Sequence, residues 1–249
     1  MCNGATATIT SSVFSNNSAG TAGGAFLNYG TAYINNSIFS ENHMTAAGGD
    51  GGAIRNSGGT TTLTNVVFKN NASTDDGGAI DNRATLNVIA DKGSVYFAGN
   101  TNGTGSMAIQ NTGGTVNIVA GNGGIVRFDD RLGNLSGTVN INQSGIIGYG
   151  GAAASNNGMV IVNDTITGTI NFYDGMLMLG QWGKSANISG ATINAYGGIV
   201  NYANGVVDTQ SKVYTYGDVW RMFDLNPNNA QLSDRSEEHT SELQSRPHI

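Results

Sequence analysis

The chain has 249 residues, a formal net charge of −6 and a pI near 4.8, so it lacks the basic surface that neutralises phosphates, which excludes nucleic acid as a partner and disfavours anionic membranes. Glycine supplies 38 residues and asparagine 32, while only 11% of residues are charged and two are prolines. Such a chain is too poor in charge and proline for disorder, and its turn formers together with Val, Ile and Thr read as ordered and β-rich.

At the amino end, the first basic residue is Arg55, and no apolar run exceeds four residues, as at Met159–Val162 and Met176–Leu179. A secretory signal needs a basic start and a longer apolar core, and a spanning helix needs more still, so neither is read here. Because repeats begin almost at once, the amino end is read as a truncation. Cys2 is the single cysteine, which rules out an internal disulfide or a thiolate metal cluster and fits an exported repeat protein.

Self-similarity then dominates residues 9 to 100. Phenylalanine, two residues and asparagine recur at Phe14–Asn17, Phe39–Asn42, Phe68–Asn71 and Phe97–Asn100, with spacings of 25, 29 and 29. Between these copies stand Gly23-Gly24-Ala25-Phe26, Gly51-Gly52-Ala53-Ile54 and Gly77-Gly78-Ala79-Ile80, each followed two residues later by Asn28, Asn56 or Asn82. A unit reads as short strand, Phe-containing strand, Asn-rich turn, Gly-Gly corner and strand again. Strands this short do not form hairpins with their own neighbours, so they are predicted to pair with equivalent strands of the next unit, rising about 4.8 Å per turn in a parallel β-helix. Like residues then superpose. Ile, Val, Leu and Phe fill the lumen as columns, with Phe14, Phe39, Phe68 and Phe97 in one of them, while asparagine amides link in ladders and glycine supplies corners at positive φ. Charges are scarce because a stacked charge meets its twin one coil away.

After Phe128 both motifs fade and a third pattern carries the coil. Gly114–Ile118, Gly137–Ile141 and Gly168–Phe172 read GTVNI, GTVNI and GTINF, with Ala191–Asn194 as a degenerate fourth copy, and Gly123–Val126 is echoed by Gly197–Val200. One continuous solenoid of about nine coils, at roughly 20 to 29 residues each, is expected over residues 1–225. A coil follows at 226–234, where Asn226-Pro227-Asn228 breaks the pattern. Residues 235–249 hold three of the four glutamates, two of the three histidines, one of the two prolines and no glycine. Within them Arg235–Ser245, reading RSEEHTSELQS, resembles the translation of a short-read sequencing adapter, so the tail is read as non-native and set aside.

The alternating GGAI and FxxN motifs resemble the repeats of the chlamydial polymorphic outer membrane proteins and related autotransporter passengers over about residues 9 to 100, and the GTVN/GTIN coils are similar to generic passenger sequence. The resemblance implies a right-handed, single-stranded parallel β-helix at the bacterial cell surface, exported through a carboxy-terminal outer-membrane barrel and adhesive towards a host-cell or matrix ligand. Nothing after Leu225 shows the alternating strands and aromatic girdles of a barrel, so the helix is expected to be truncated at both ends. Open terminal coils invite end-to-end self-association.

The same architecture hosts polysaccharide lyases and glycosidases, and the choice rests on sites rather than on fold. The carboxylate candidates are Asp75-Asp76 and Asp129-Asp130-Arg131. Asp75-Asp76 lies in the variable gap before a Gly-Gly corner and reads as a solvated loop; Asp129-Asp130-Arg131 replaces the FxxN turn after Phe128 and reads as a salt-bridged turn. His43 lies in a loop without a second histidine or a cysteine, so zinc is not supported. Gly48-Gly49-Asp50-Gly51-Gly52 is similar to a calcium nonapeptide but carries Ala53 where an aspartate is required, and the glycine-rich pieces match neither a P-loop nor a dinucleotide fingerprint. Trp182 and Trp220 are able to stack on sugars but are read as packing at a coil end or edge. No catalytic, cofactor-binding or metal residue is assigned. The chain is read as a non-catalytic surface module, with a carbohydrate-active, pectate-lyase-like enzyme fragment as the alternative.

Overall fold

The computed structural model describes residues 1–148, 150–188, 190–201, 205–206, 212–216 and 219–222. The expected boundary at 225, the break at Asn226-Pro227-Asn228 and the tail 235–249 lie outside the described residues.

Three short strands follow one another in a typical coil: Phe26–Asn28, Thr31–Asn35 and Ile38–Ser40. They recur at Ile54–Asn56, Thr60–Thr64 and Val67–Lys69, and again at Ile80–Asn82, Thr85–Asp91 and Ser94–Ala98. The first two strands of each coil enter a 13-stranded sheet and the third enters a 9-stranded sheet. Pairing is parallel between equivalent positions, Phe26 with Ile54, Thr31 with Thr60 and Phe39 with Phe68. A parallel partner one unit away in sequence means that the chain makes one circuit per strand spacing, the stacking expected of a β-helix or solenoid. Every element assigned among the described residues is a strand, and no helix is long and apolar enough to cross a membrane.

Period-two alternation decides what faces inward. In Thr31–Asn35, Ala32 and Ile34 are fully buried while Thr31 and Tyr33 keep partial exposure. Register then builds columns: Ile9, Ile34, Leu63, Val88, Ile118, Ile141, Phe172 and Ala195 lie one above another. The expected phenylalanine column forms and takes in a fifth member. Phe14, Phe39, Phe68, Phe97 and Phe128 stack with ring centroids 4.7, 5.1, 4.8 and 4.9 Å apart, a spacing imposed by the sheet itself. Val162 and Leu179 then occupy the same position, so the fading of FxxN is a change of residue within an unbroken column. The GTVN pattern is likewise not new. Thr115 pairs with Thr85, in line with Thr60, Thr31 and Thr6, at the start of the second strand of each coil.

The two glycines of each corner do different work. Gly51 has φ +70, which disfavours any side chain, whereas a Cβ on Gly52 would collide with the carbonyl oxygen of Gly78 in the next coil. Asparagine is also split between two roles at the bends. Asn16 and Asn70 adopt left-handed φ values of 55 and 54, and the residues after them, Asn17 and Asn71, hydrogen bond between coils.

Several features depart from the sequence expectation. Coil length varies more than the motif spacings suggest: Ile125 pairs with Met159 and Met159 with Met176, so one coil is twice as long as the coil that follows it. The long coil carries a loop in which Ile147 and Ala153 form an antiparallel bridge, and Thr101–Asn102 pairs antiparallel with Gly105–Ser106, so small hairpins do occur where loops leave the stack. Residues Ile109–Gly121 form one strand of 13 residues that spans the corner between the first two strands, with register shifts at Thr112. In the first coil, Cys2–Asn3, Thr6–Thr10 and Val13–Ser15 pair on one side only among the described residues.

Candidate functional site

The stack is joined by side chains as well as backbone. In one ladder the Nδ2 of Asn3, Asn28, Asn56, Asn82 and Asn111 each donates to the Oδ1 of the next, ending on Asn134, at 2.8 to 3.2 Å. A second runs from Asn17 through Asn42, Asn71 and Asn100 in the same direction. It ends on Asp130, whose carboxylate accepts from the Asn100 Nδ2 at 2.7 Å, the Asn100 backbone N–H at 3.0 Å and the Gly99 N–H at 2.8 Å. A carboxylate has no N–H to pass on, which suits it to the last place in the row. Burial raises its pKa, against the pull of those three donors. A third ladder points the opposite way, with Asn117, Asn140, Asn171 and Asn194 each donating to the asparagine of the coil before.

Two charged clusters lie on outward positions of this frame. The first occupies the variable residue of the GGA-x-x-Asn unit, where Leu27, Arg55, Asp81 and Gln110 are in register. Asp50 forms an ion pair with Arg55 Nη1 at 3.0 Å and accepts from Arg83 Nη2 at 2.8 Å, and Asp81 accepts from Arg83 Nε at 2.9 Å. The Asp81 side chain is fully buried, its Oδ1 has no hydrogen-bond partner, and the same holds for the nearby buried Gln110 Nε2. Burial pushes the Asp81 carboxyl up to about 6, although Arg83 and Arg55 pull it down. Of the sequence pair, Asp75 is exposed as expected, but Asp76 is drawn in, 3.9 Å from Arg83. Burial and the charges of Asp75 and Asp50 raise the Asp76 pKa.

The second cluster centres on Asp129 in the Asp129-Asp130-Arg131 turn. The turn is salt-bridged as expected, but the partners are not Arg131. Arg127 Nε and Nη2 reach Asp129 at 2.8 and 2.6 Å, Tyr96 Oη at 2.8 Å, Asn163 Nδ2 at 2.7 Å and Lys184 Nζ at 3.2 Å. Arg131 Nε is covered and has no hydrogen-bond partner. Burial would raise the Asp129 carboxyl, but its donors, Arg127 foremost, overcome that and hold it down to about 2. The Arg127 guanidinium lies over two aromatic rings, 4.9 Å from the Tyr96 centroid and 4.4 Å from that of Trp182.

The remaining candidates fall as follows. His43 is in the short strand His43–Met44 rather than a loop, paired with Ser18–Ala19. Asp50 of the glycine-rich Gly48–Gly52 run is held by guanidiniums. Among the described residues no group of three or more His, Cys, Asp or Glu side chains is arranged to hold a metal ion. Trp182, read as packing at a coil end or edge, stands exposed on the loop after Leu179 and stacks on Arg127. Trp220 lies in a strand paired with Ile199, and its side chain is outside the described residues.

The convergence of acids and bases was missed by reading motifs singly. Superposing the repeats would have set Arg55 against Asp81, and Arg127, immediately before Phe128, against Tyr96 before Phe97. No family model, curated protein or solved structure matches the chain.

Proposed function

We propose that this chain is part of a right-handed, single-stranded parallel β-helix serving as a non-catalytic module at a bacterial cell surface, in the passenger of an autotransporter-type adhesin. Its partner is a host-cell or matrix ligand. The observation that carries the reading is continuity between coils: asparagine ladders and stacked rings link successive coils in the same register as the backbone. Each coil is thereby fixed to its neighbours, which makes a frame for presenting loops at a distance from the cell. The FxxN and GGAI resemblance supplies export and display.

Beads coated with the purified chain test this. Saturable attachment to epithelial cells or matrix, absent for beads carrying another acidic protein, supports the reading, and equal attachment of both refutes it. End-to-end association of the purified chain is part of the same proposal, and it would be seen as a mass that rises with concentration in sedimentation.

One observation favours the pectate-lyase-like enzyme instead. A carboxyl raised to about 6 beside two guanidiniums is the kind of group that acid–base work on a glycosidic bond uses, and buried Asp81 would have to be uncovered to reach one. Polysaccharide cleavage that disappears in Asp81→Asn or Asp129→Ala would replace the adhesive reading with the catalytic one.

A further inference from the structure

Trp182 combines two features that stability alone does not explain. It keeps 63% of its surface exposed although Arg127 stacks on its ring, and its backbone sits at φ +55, a conformation strained for a bulky side chain. The indole is nevertheless firmly held. Arg127, which backs it, is gripped by both oxygens of Asp129 and also stacks over the Tyr96 ring. The loop beneath is pinned where the Gln181 N–H donates to Asn163 Oδ1 at 2.7 Å, the Gly180 N–H to the Val162 carbonyl at 2.9 Å and the Lys184 N–H to the Gln181 carbonyl at 3.2 Å. Lys184 closes the ring of contacts on Asp129 while its side chain stays 46% exposed.

A rigid, exposed indole beside ordered polar groups is a platform for a flat, partly apolar ligand. Its surroundings narrow the choice. Arg127 already stacks on the indole, which disfavours a second cation there such as a quaternary ammonium. The C–H face of a pyranose fits an indole, and a carboxylate on that sugar would meet the Lys184 ammonium, which uses one of its three donors on Asp129. We propose that Trp182 and Lys184 form a binding site for an acidic pyranose, such as a uronic acid unit of a polysaccharide, on the outer face of the 9-stranded sheet. The site gives the adhesive reading a ligand class, and it rests on that reading.

The test is titration of the full chain with a tetragalacturonate and with a neutral galactose tetramer, read by the indole N–H resonances in a nitrogen–proton spectrum. The expected result is a saturable shift of the Trp182 signal, assigned with Trp182→Phe, by the uronate at least fivefold more tightly than by the neutral sugar. Binding should fall at least tenfold in Trp182→Ala and several-fold in Lys184→Ala, and stay unchanged in Tyr29→Ser, which alters another exposed aromatic. Because Trp182 is at the surface, its variants keep the fold, checked by their circular dichroism.

No shift of the Trp182 signal by either sugar, or uronate binding that survives Trp182→Ala, overturns the site. In the same series, coated beads that attach to cells with Trp182→Ala as well as without it would leave the adhesive reading standing while the site fails. Cleavage of the bound uronate would do the reverse.

Discussion

Asp81 and Asp129 are both covered carboxylates beside guanidinium groups, yet one titrates near 6 and the other near 2. Donor count separates them. Asp129 spreads two oxygens over Arg127, Tyr96, Asn163 and Lys184, so the charged form is fully solvated by protein groups. Asp81 is buried at least as well but leaves Oδ1 without a partner, and two cations on Oδ2 do not repay the loss of water on the other side. Proximity to arginine is therefore a poor guide to the state of an acid. What counts is how many of its lone pairs are met.

The largest expected effect breaks the saturated cluster. Asp129→Ala leaves two cations facing each other and strands the Tyr96 hydroxyl and the Asn163 amide, at a cost of about 3 kcal/mol in urea unfolding at pH 7, the low end for a buried pair because Arg127 and Lys184 keep partial exposure. A loss below about 1 kcal/mol would show that water replaces the carboxylate readily, as at an open surface pair.

The pH dependence sharpens the contrast, because the two acids act in opposite directions. Asp81 has a folded pKa of about 6 against a reference of 3.8, so the folded state holds a proton that the unfolded chain has released. Its contribution is full below about pH 4 and is lost as the pH rises through 6, a fall of about 3 kcal/mol. Wild-type protein should thus be less stable at pH 8 than at pH 5, and Asp81→Asn should remove more than half of that difference. Equal stability of the wild type at both pH values would mean that Asp81 finds a donor for Oδ1.

Asp129, lowered from 3.8 to about 2, stabilises the fold above about pH 4 and loses that contribution as the pH falls through 2. Its partners are partly exposed, so solvent screening reduces the effect to about 1–2 kcal/mol. Denaturation midpoints at pH 4 and pH 2 should converge more in Asp129→Asn than in the wild type, and an unchanged gap would place the acid sensitivity elsewhere.

Much of the frame was legible because a parallel stack writes itself in repeated letters. Phe14 to Phe97 and Asn28, Asn56 and Asn82 mark columns that gain one residue per circuit. Phe128 and its followers Val162 and Leu179 were harder to see, since a column needs volume rather than identity, and two successive coils that differ twofold in length spoil the period. The clusters were the least legible. The sequence marks Asp129-Asp130-Arg131 as a salt-bridged turn without naming the partners, and Tyr96, Asn163 and Lys184, which meet Asp129, come from three other coils or their loops. Asp50 looked like half of an ion site because its guanidinium partners, Arg55 and Arg83, lie on either side of the next corner. Contacts made between coils through loops leave no period to read.

The one-circuit-per-strand pairing also decides how this molecule responds to being pulled. Tension applied along the stack acts parallel to the hydrogen bonds between coils, so the bonds of one coil open before those of the next are loaded. In the repeat that sets Phe39 against Phe68, one whole coil comes free at a time, roughly 95 Å of extended chain at ~3.3 Å per residue. Because each coil depends mainly on its immediate neighbours, those further along keep their stacking while the first ones peel away. A chain held at its two ends gains length in discrete steps under load, and the unpeeled part remains able to hold.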